Sequence, residues 1–135
     1  MDGAIATLVS ITAVFGLVLV NALFVAAEFA LVRIRETRVN SPDFLSLYGA
    51  KSSLLLLRDL DGSISATQLG ITIASLTLGW LGEETFAHLI MAGLGSMPET
   101  SKFIVSHGVA TALALFVVTV LHVVIGELVA KSVAI

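Results

Sequence analysis

The run Val109-Ala-Thr-Ala-Leu-Ala-Leu-Phe-Val-Val-Thr-Val-Leu-His-Val-Val-Ile125 carries no Asp, Glu, Lys or Arg and is followed directly by Gly126 and Glu127. Read as a membrane span, it sets a carboxylate at the edge of a hydrocarbon core. Ionisable groups are expensive there and usually face a bundle interior or an ion path. Composition points to lipid as the solvent. Hydrophobic residues make up 57% of the chain and charged residues only 13%, with a mean hydropathy of +1.04. A soluble domain carries roughly 25% charged residues and needs them to cover its surface.

Two further apolar segments lie upstream. The first span runs from about Gly3 to Val32, with no charge between Asp2 and Glu28 and a basic cluster of Arg33, Arg35 and Arg38 after it. Its acidic start and its length distinguish it from a secretory signal peptide. The second runs from about Ser63 to Leu81, and the third, which contains the quoted run, from about His107 to Ala130. In the first connection Asn40-Ser41-Pro42 is a breaker, and the stretch around Leu54 to Leu57 reads as a short interfacial helix with Lys51 and Arg58 reaching headgroups. In the second, Glu83, Glu84 and Glu99 make an acidic connection. Phe86 to Leu94 reads as a separate interfacial or re-entrant helix, too short to cross and ended by Gly93, Gly95 and Pro98. The expected fold is an all-α membrane protein with three transmembrane helices and short interfacial or re-entrant helices, in one domain over residues 1–135.

The net charge of −3 matters less than its placement. Without a polybasic run there is no sign of a nucleic-acid partner, and without cysteine there is no disulfide or thiolate metal site. The first connection holds Arg33, Arg35, Arg38, Lys51 and Arg58, whereas the second holds only Lys102. The positive-inside rule then places the N-terminus outside a cell membrane and Lys131 in the cytoplasm.

Taking Arg33, Ser63 and Lys131 as cytoplasmic boundary markers, Glu28, Gln68 and Glu127 lie about four or five residues inside, or roughly 6 to 8 Å by helix rise. Each span thus brings a polar side chain to one membrane level. On the second span Ser65, Gln68, Thr72, Ser75 and Gly79 alternate at intervals of three and four and form one stripe. On the first, Asn21 and Glu28 are seven apart and share a face. Turned to lipid these groups would lack partners, so the faces should meet in the bundle. Small residues at Ala22, Ala26 and Ala30, at Gly70 and Ala74, and at Ser75 and Gly79 suit close helix approach. Simpler roles stand beside this one: helix packing for the hydroxyls, pairing with Lys131 for Glu127, and pairing with Arg33 or Arg35 for Glu28.

Hard oxygen donors suit a hard cation such as Mg²⁺ or Na⁺. The candidate ligands are Asn21, Glu28, Gln68, Thr72, Ser75 and Glu127, together with Gly126, which can loosen the third helix and free a backbone carbonyl. His88, His107 and His122 form no HExxH pattern, and no enzymatic activity is expected. His122 lies five residues before Glu127, a poor spacing for one α-helical face, and reads as a packed or hydrogen-bonded residue.

Four strings carry a family resemblance: Asn21-Ala-Leu-Phe-Val-Ala-Ala-Glu28-Phe-Ala-Leu-Val, Ser65-Ala-Thr-Gln-Leu-Gly-Ile-Thr72, Leu78-Gly-Trp-Leu-Gly-Glu83 and Gly126-Glu-Leu-Val-Ala-Lys-Ser132. In this order they resemble the transmembrane (DUF21) domain of the CorC/CNNM magnesium transporters over nearly the whole chain. The resemblance implies a homodimer of three-span protomers that exports Mg²⁺ in exchange for Na⁺ through a cytoplasm-facing cavity, with a dehydrated Mg²⁺ site near Glu127. It also implies that full-length members continue beyond the position of Ile135 into a cytoplasmic CBS pair. The chain departs from the family at Ala130, where proline is common, and at Ala26 and Ala27, near which many relatives carry a serine hydroxyl. A reading of another class is a membrane anchor and dimerisation module whose polar faces only hold helices together.

Overall fold

The computed structural model describes residues 2–34, 39, 41–93 and 108–134. Arg35, Arg38, Asn40, Leu94, Gly95, Pro98, Glu99, Lys102 and His107, which enter the sequence reading, lie outside the described residues. Helix α1 spans Asp2–Arg33, α2 Pro42–Leu45, α3 Ala50–Arg58 and α4 Leu60–Gly93. The last segment begins as α5, Ala110–Leu121, passes through a π-helix at His122–Val129 and ends as α6, Ala130–Ala134. Among the described residues three helical segments are long and apolar enough to cross a membrane: Gly3–Arg33, Leu60–Gly93 and Ala110–Ala134.

The connection after α1 is built by local capping. The Ser41 hydroxyl accepts from the Phe44 backbone N–H at 3.3 Å, and Pro42 starts α2 where a missing N–H costs nothing. Gly49, at φ 88°, makes the left-handed turn into α3. Asp59 ends α3 and its Oδ1 accepts from the Gly62 N–H at 3.1 Å, which fixes the start of α4. The short helix expected around Leu54 to Leu57 is therefore present.

The second connection differs from its expectation. Phe86 to Gly93 is not a separate interfacial or re-entrant helix but the last turns of α4, which continues without interruption through Glu83 and Glu84. Charge ends a hydrophobic run without ending a helix, because Glu is a good helix former and nothing between Leu81 and Gly93 removes a backbone donor. At 1.5 Å per residue α4 is about 50 Å long, so it tilts or extends past a core of roughly 30 Å.

Helix α4 lies between α1 and the third segment and packs on both, while α1 also contacts the π-helix and α6. Val14, Val18, Leu78 and Val118 form the buried core, with Leu17, Leu81, Phe86 and Ile125 against it. Along α1 the buried residues Val14, Val18, Asn21 and Val25 recur at four and three, one continuous contact stripe. Leu8, Leu23, Leu69, Leu76, Trp80, Phe116 and Val133 point outward, an apolar exterior suited to lipid. This is a multi-pass membrane architecture.

Close approach depends on glycine at two points. A Cβ on Gly70 would sit 2.6 Å from the Phe24 ring, and one on Gly82 would sit 2.7 Å from Val118 Cγ2. Gly79, by contrast, meets nothing within 4 Å. Ala22 and Ala26 line an open apolar groove between α1 and the third segment rather than the buried stripe. Gly82→Ala is expected to lower stability by about 1–3 kcal/mol through overpacking against a stiff β-branched neighbour. Thermal unfolding in detergent should show that loss, and Val118→Ala on the same chain should recover most of it. A single variant as stable as the wild type would show that α4 and α5 are not in contact at this point.

Candidate functional site

The polar residues of α1 and α4 are brought together by the same heptad-like stripe that buries the core. Asn21 follows Val14 and Val18 on that stripe and is fully buried, at 0% exposure. A buried amide needs partners for both ends. Its Nδ2 donates to the Gly126 carbonyl at 3.2 Å, and its Oδ1 accepts from the Ser75 hydroxyl at 3.3 Å. Three membrane segments thus meet on one side chain. The Ser75 Oγ is also 3.2 Å from His122 Nε2, and His122 Nε2 is 3.9 Å from Glu127 Oε1. The other carboxylate oxygen of Glu127 accepts from Lys131 Nζ at 3.4 Å, and that ammonium lies 5.2 Å from the Phe29 ring centroid.

The π-helix makes this arrangement. With an i to i+5 repeat, His122 and Glu127 fall one turn apart on a shared face, whereas α-helical spacing would separate them. Gly126 sits buried between them at the point of closest approach to α1. A Cβ there would be 2.9 Å from Asn21 Nδ2 and 3.0 Å from His122 Cδ2. Glycine is required at this position by space, and the carbonyl expected to be freed there faces Asn21.

The expected ligands fall into two groups. Asn21, Ser75, Gly126 and Glu127 belong to one cluster. Glu28 and Gln68 make a second pair, Gln68 Nε2 donating to Glu28 Oε1 at 3.2 Å, two turns or about 10 Å along α1 from Asn21. Thr72 lies on α4 between Gln68 and Ser75, and its hydroxyl donates to the Gln68 carbonyl of its own helix at 2.9 Å. Ser65 likewise donates to the Asp61 carbonyl at 2.8 Å. The shared level of Glu28 and Gln68 is direct contact, and the contact of Lys131 with Phe29 puts α6 beside the same turn of α1.

His122 is the member of the cluster that sequence reasoning set aside. Its partner is Ser75, as a hydrogen-bonded histidine requires, but it also faces Glu127. The signal that points to it is a five-residue spacing across a glycine, meaningful only in a π register. Among the described residues no group of three or more His, Cys, Asp or Glu side chains could hold a metal ion. The donor set is one carboxylate with neutral oxygens from an amide, a hydroxyl and the backbone. Such a set can coordinate a small hard cation and offers little to a soft one.

Comparison with known proteins agrees with the architecture. The family model described as the cyclin M (CNNM) transmembrane N-terminal domain matches residues 11–135. The chain is 41% identical over 134 residues to UPF0053 protein YugS of Bacillus subtilis, covering 95% of this chain and 29% of that protein. It is 46% identical over 125 residues to UPF0053 protein YhdT of the same organism, covering 88% of this chain and 25% of that protein. A more distant relative is the uncharacterized protein Rv1841c of Mycobacterium tuberculosis, 33% identical over 119 residues, with 84% of this chain and 31% of that protein covered. The chain therefore spans less than a third of the length of these relatives.

Proposed function

We propose that this chain, which belongs to the cyclin M (CNNM) transmembrane domain family, is the membrane core of a magnesium transporter that exports Mg²⁺ in exchange for Na⁺. The observation that carries the proposal is the convergence of three spans on Asn21. A fully buried amide, a serine hydroxyl, a glycine carbonyl and a partly exposed carboxylate lie together where the three apolar spans meet. In lipid, ionisable groups such as the Glu127 carboxylate are costly, and those that face a bundle interior commonly mark ion pathways. Glu127 supplies the charge, while Asn21, Ser75 and the Gly126 carbonyl supply neutral oxygens. Glu28, Gln68 and Thr72 form the next station toward the cytoplasm, on the polar stripe that leads away from the site.

Orientation with Lys131 in the cytoplasm of the cell membrane, assembly as a homodimer and coupling to cytoplasmic CBS domains belong to the same proposal. The apolar exterior of a three-helix protomer leaves ample surface for a second copy and for lipid. The relatives are more than three times as long as the matched stretch, which leaves room for further domains.

The test is a calorimetric titration of the purified chain with Mg²⁺, with and without high Na⁺. Saturable binding that Na⁺ weakens several-fold is expected of an exchanger site. Absence of Mg²⁺ binding in a folded, monodisperse sample would favour a membrane anchor whose polar groups serve helix association.

A further inference from the structure

His122 is outside the expected donor set, yet it faces two of its members. We infer that His122 is a positioning residue of this site: its Nε2–H fixes the direction of the Ser75 hydroxyl proton, leaving Ser75 Oγ and Asn21 Oδ1 each with a lone pair for a hard cation. The inference rests on the transport reading above and adds to it the residue that orients the ligands.

The assignment follows from proton counting. Only the nitrogen of the Asn21 amide can donate to the Gly126 carbonyl, at 3.2 Å, and this turns Oδ1 toward Ser75. Oδ1 is a pure acceptor, so the single proton of the Ser75 hydroxyl belongs on the 3.3 Å line to Asn21. The same hydroxyl is 3.2 Å from His122 Nε2, which must therefore donate. A bare Nε2 would compete for the one proton, leave the buried Oδ1 without a donor, and turn a lone pair toward Glu127 Oε1 at 3.9 Å. A protonated Nε2 instead presents its positive end to both oxygens. Tautomers are assigned by such networks, and here one choice satisfies every member.

The links form a closed circuit. His122 and Gly126 stand on one π-helical segment, and the path between them runs through Ser75 on α4 and Asn21 on α1. A hydroxyl oxygen accepts twice and a carbonyl oxygen accepts twice, so each spends one lone pair in the circuit and keeps one. Outer-shell donors that orient metal ligands in this way typically change metal affinity about 10–100-fold when removed.

The experiment compares Mg²⁺ affinity by calorimetry in the wild type, His122→Ala and His122→Gln. Helix content and monodispersity are measured alongside. It also records ¹⁵N spectra of histidine-labelled chain, with His122→Gln identifying the His122 signals. The expected result is a pyrrole-like Nε2, a loss of affinity of about 10–100-fold in the alanine variant, and recovery of most of that loss in the glutamine variant, whose amide donates at similar reach. Pyridine-like Nε2, equal affinity in all three chains, or glutamine as weak as alanine would overturn the role of His122 while leaving the transport reading intact. A folded wild type that does not bind Mg²⁺ would overturn the transport reading and the ligand-orienting role with it.

Discussion

Glu127→Gln is expected to abolish saturable Mg²⁺ binding and transport while leaving the bundle folded. The substitution keeps side-chain volume and one oxygen donor and removes the charge, so it isolates electrostatics from shape. Among the described residues of the cluster around Asn21, Glu127 is the sole carboxylate, and every other proposed ligand is a neutral oxygen. A dication held in an apolar bundle by neutral oxygens alone carries an uncompensated charge, a penalty of several kcal/mol in real proteins. At about 1.4 kcal/mol per decade this corresponds to a loss of roughly 10²–10³-fold or more in affinity. The structural cost is small by comparison. Glu127 is a third exposed, and its ion pair with Lys131 is an i to i+4 pair at 3.4 Å, of a kind that contributes about 0.3–0.5 kcal/mol. Calorimetry and flux into proteoliposomes at matched expression check the result. A glutamine variant that binds and transports within a few-fold of the wild type would sink the assignment. One that loses only oligomer stability would favour the anchor reading.

The parts of this molecule that the sequence made legible share a physical reason. Continuous apolar runs announce spans because lipid tolerates little else, and the three helices fall where Gly3, Ser63 and Val109 begin such runs. Depth and face were also readable. Glu28, Gln68 and Glu127 were matched by distance from the basic boundary; the first two are in contact, whereas Glu127 belongs to the cluster around Asn21. Hydropathy was a poorer guide to helix ends. Glu83 and Glu84 read as a connection, yet α4 runs on through them, since leaving the hydrocarbon core does not break backbone hydrogen bonds. Of the stripe from Ser65 to Gly79, Ser75 reaches the Asn21 cluster and Gln68 meets Glu28, while Ser65 and Thr72 return their hydroxyl protons to the carbonyl one turn back. Most elusive was the π register of His122–Val129. No residue propensity encodes it. It arises where Gly126 lets α1 approach and Asn21 takes the carbonyl, and it is what converts a five-residue spacing into a shared face.

Asn21→Leu separates an ion site from a helix glue more sharply than any charge change, because the two roles predict opposite balances of effect. Leucine keeps the branching and heavy-atom count of asparagine but is bulkier, so no cavity opens in a position that is fully buried and some overpacking is added. What is lost is the donor to the Gly126 carbonyl and the acceptor for Ser75. An unsatisfied buried group costs about 1–3 kcal/mol in soluble proteins. Interhelical hydrogen bonds in membranes average nearer 0.6 kcal/mol, since the separated helices find other partners. Ser75 keeps His122 as a neighbour, so the deficit falls mainly on Gly126, and with the overpacking the net destabilisation should be about 1–3 kcal/mol. Ion affinity should suffer far more. The variant removes an amide oxygen from a cage that Mg²⁺ requires to be nearly octahedral, and it frees the Ser75 proton to swing toward the ion. A loss of about 100-fold or more is expected, beyond the range typical of outer-shell changes. Val18→Ala, one turn away on the same stripe and 1% exposed, is the complementary control. It should lower thermal stability by an amount comparable to Asn21→Leu, through the cavity it leaves, and hold Mg²⁺ affinity near the wild-type value. If instead both variants shift stability and affinity in proportion, the polar cluster acts on the ion only through the integrity of the bundle, and Asn21 is a helix-packing residue.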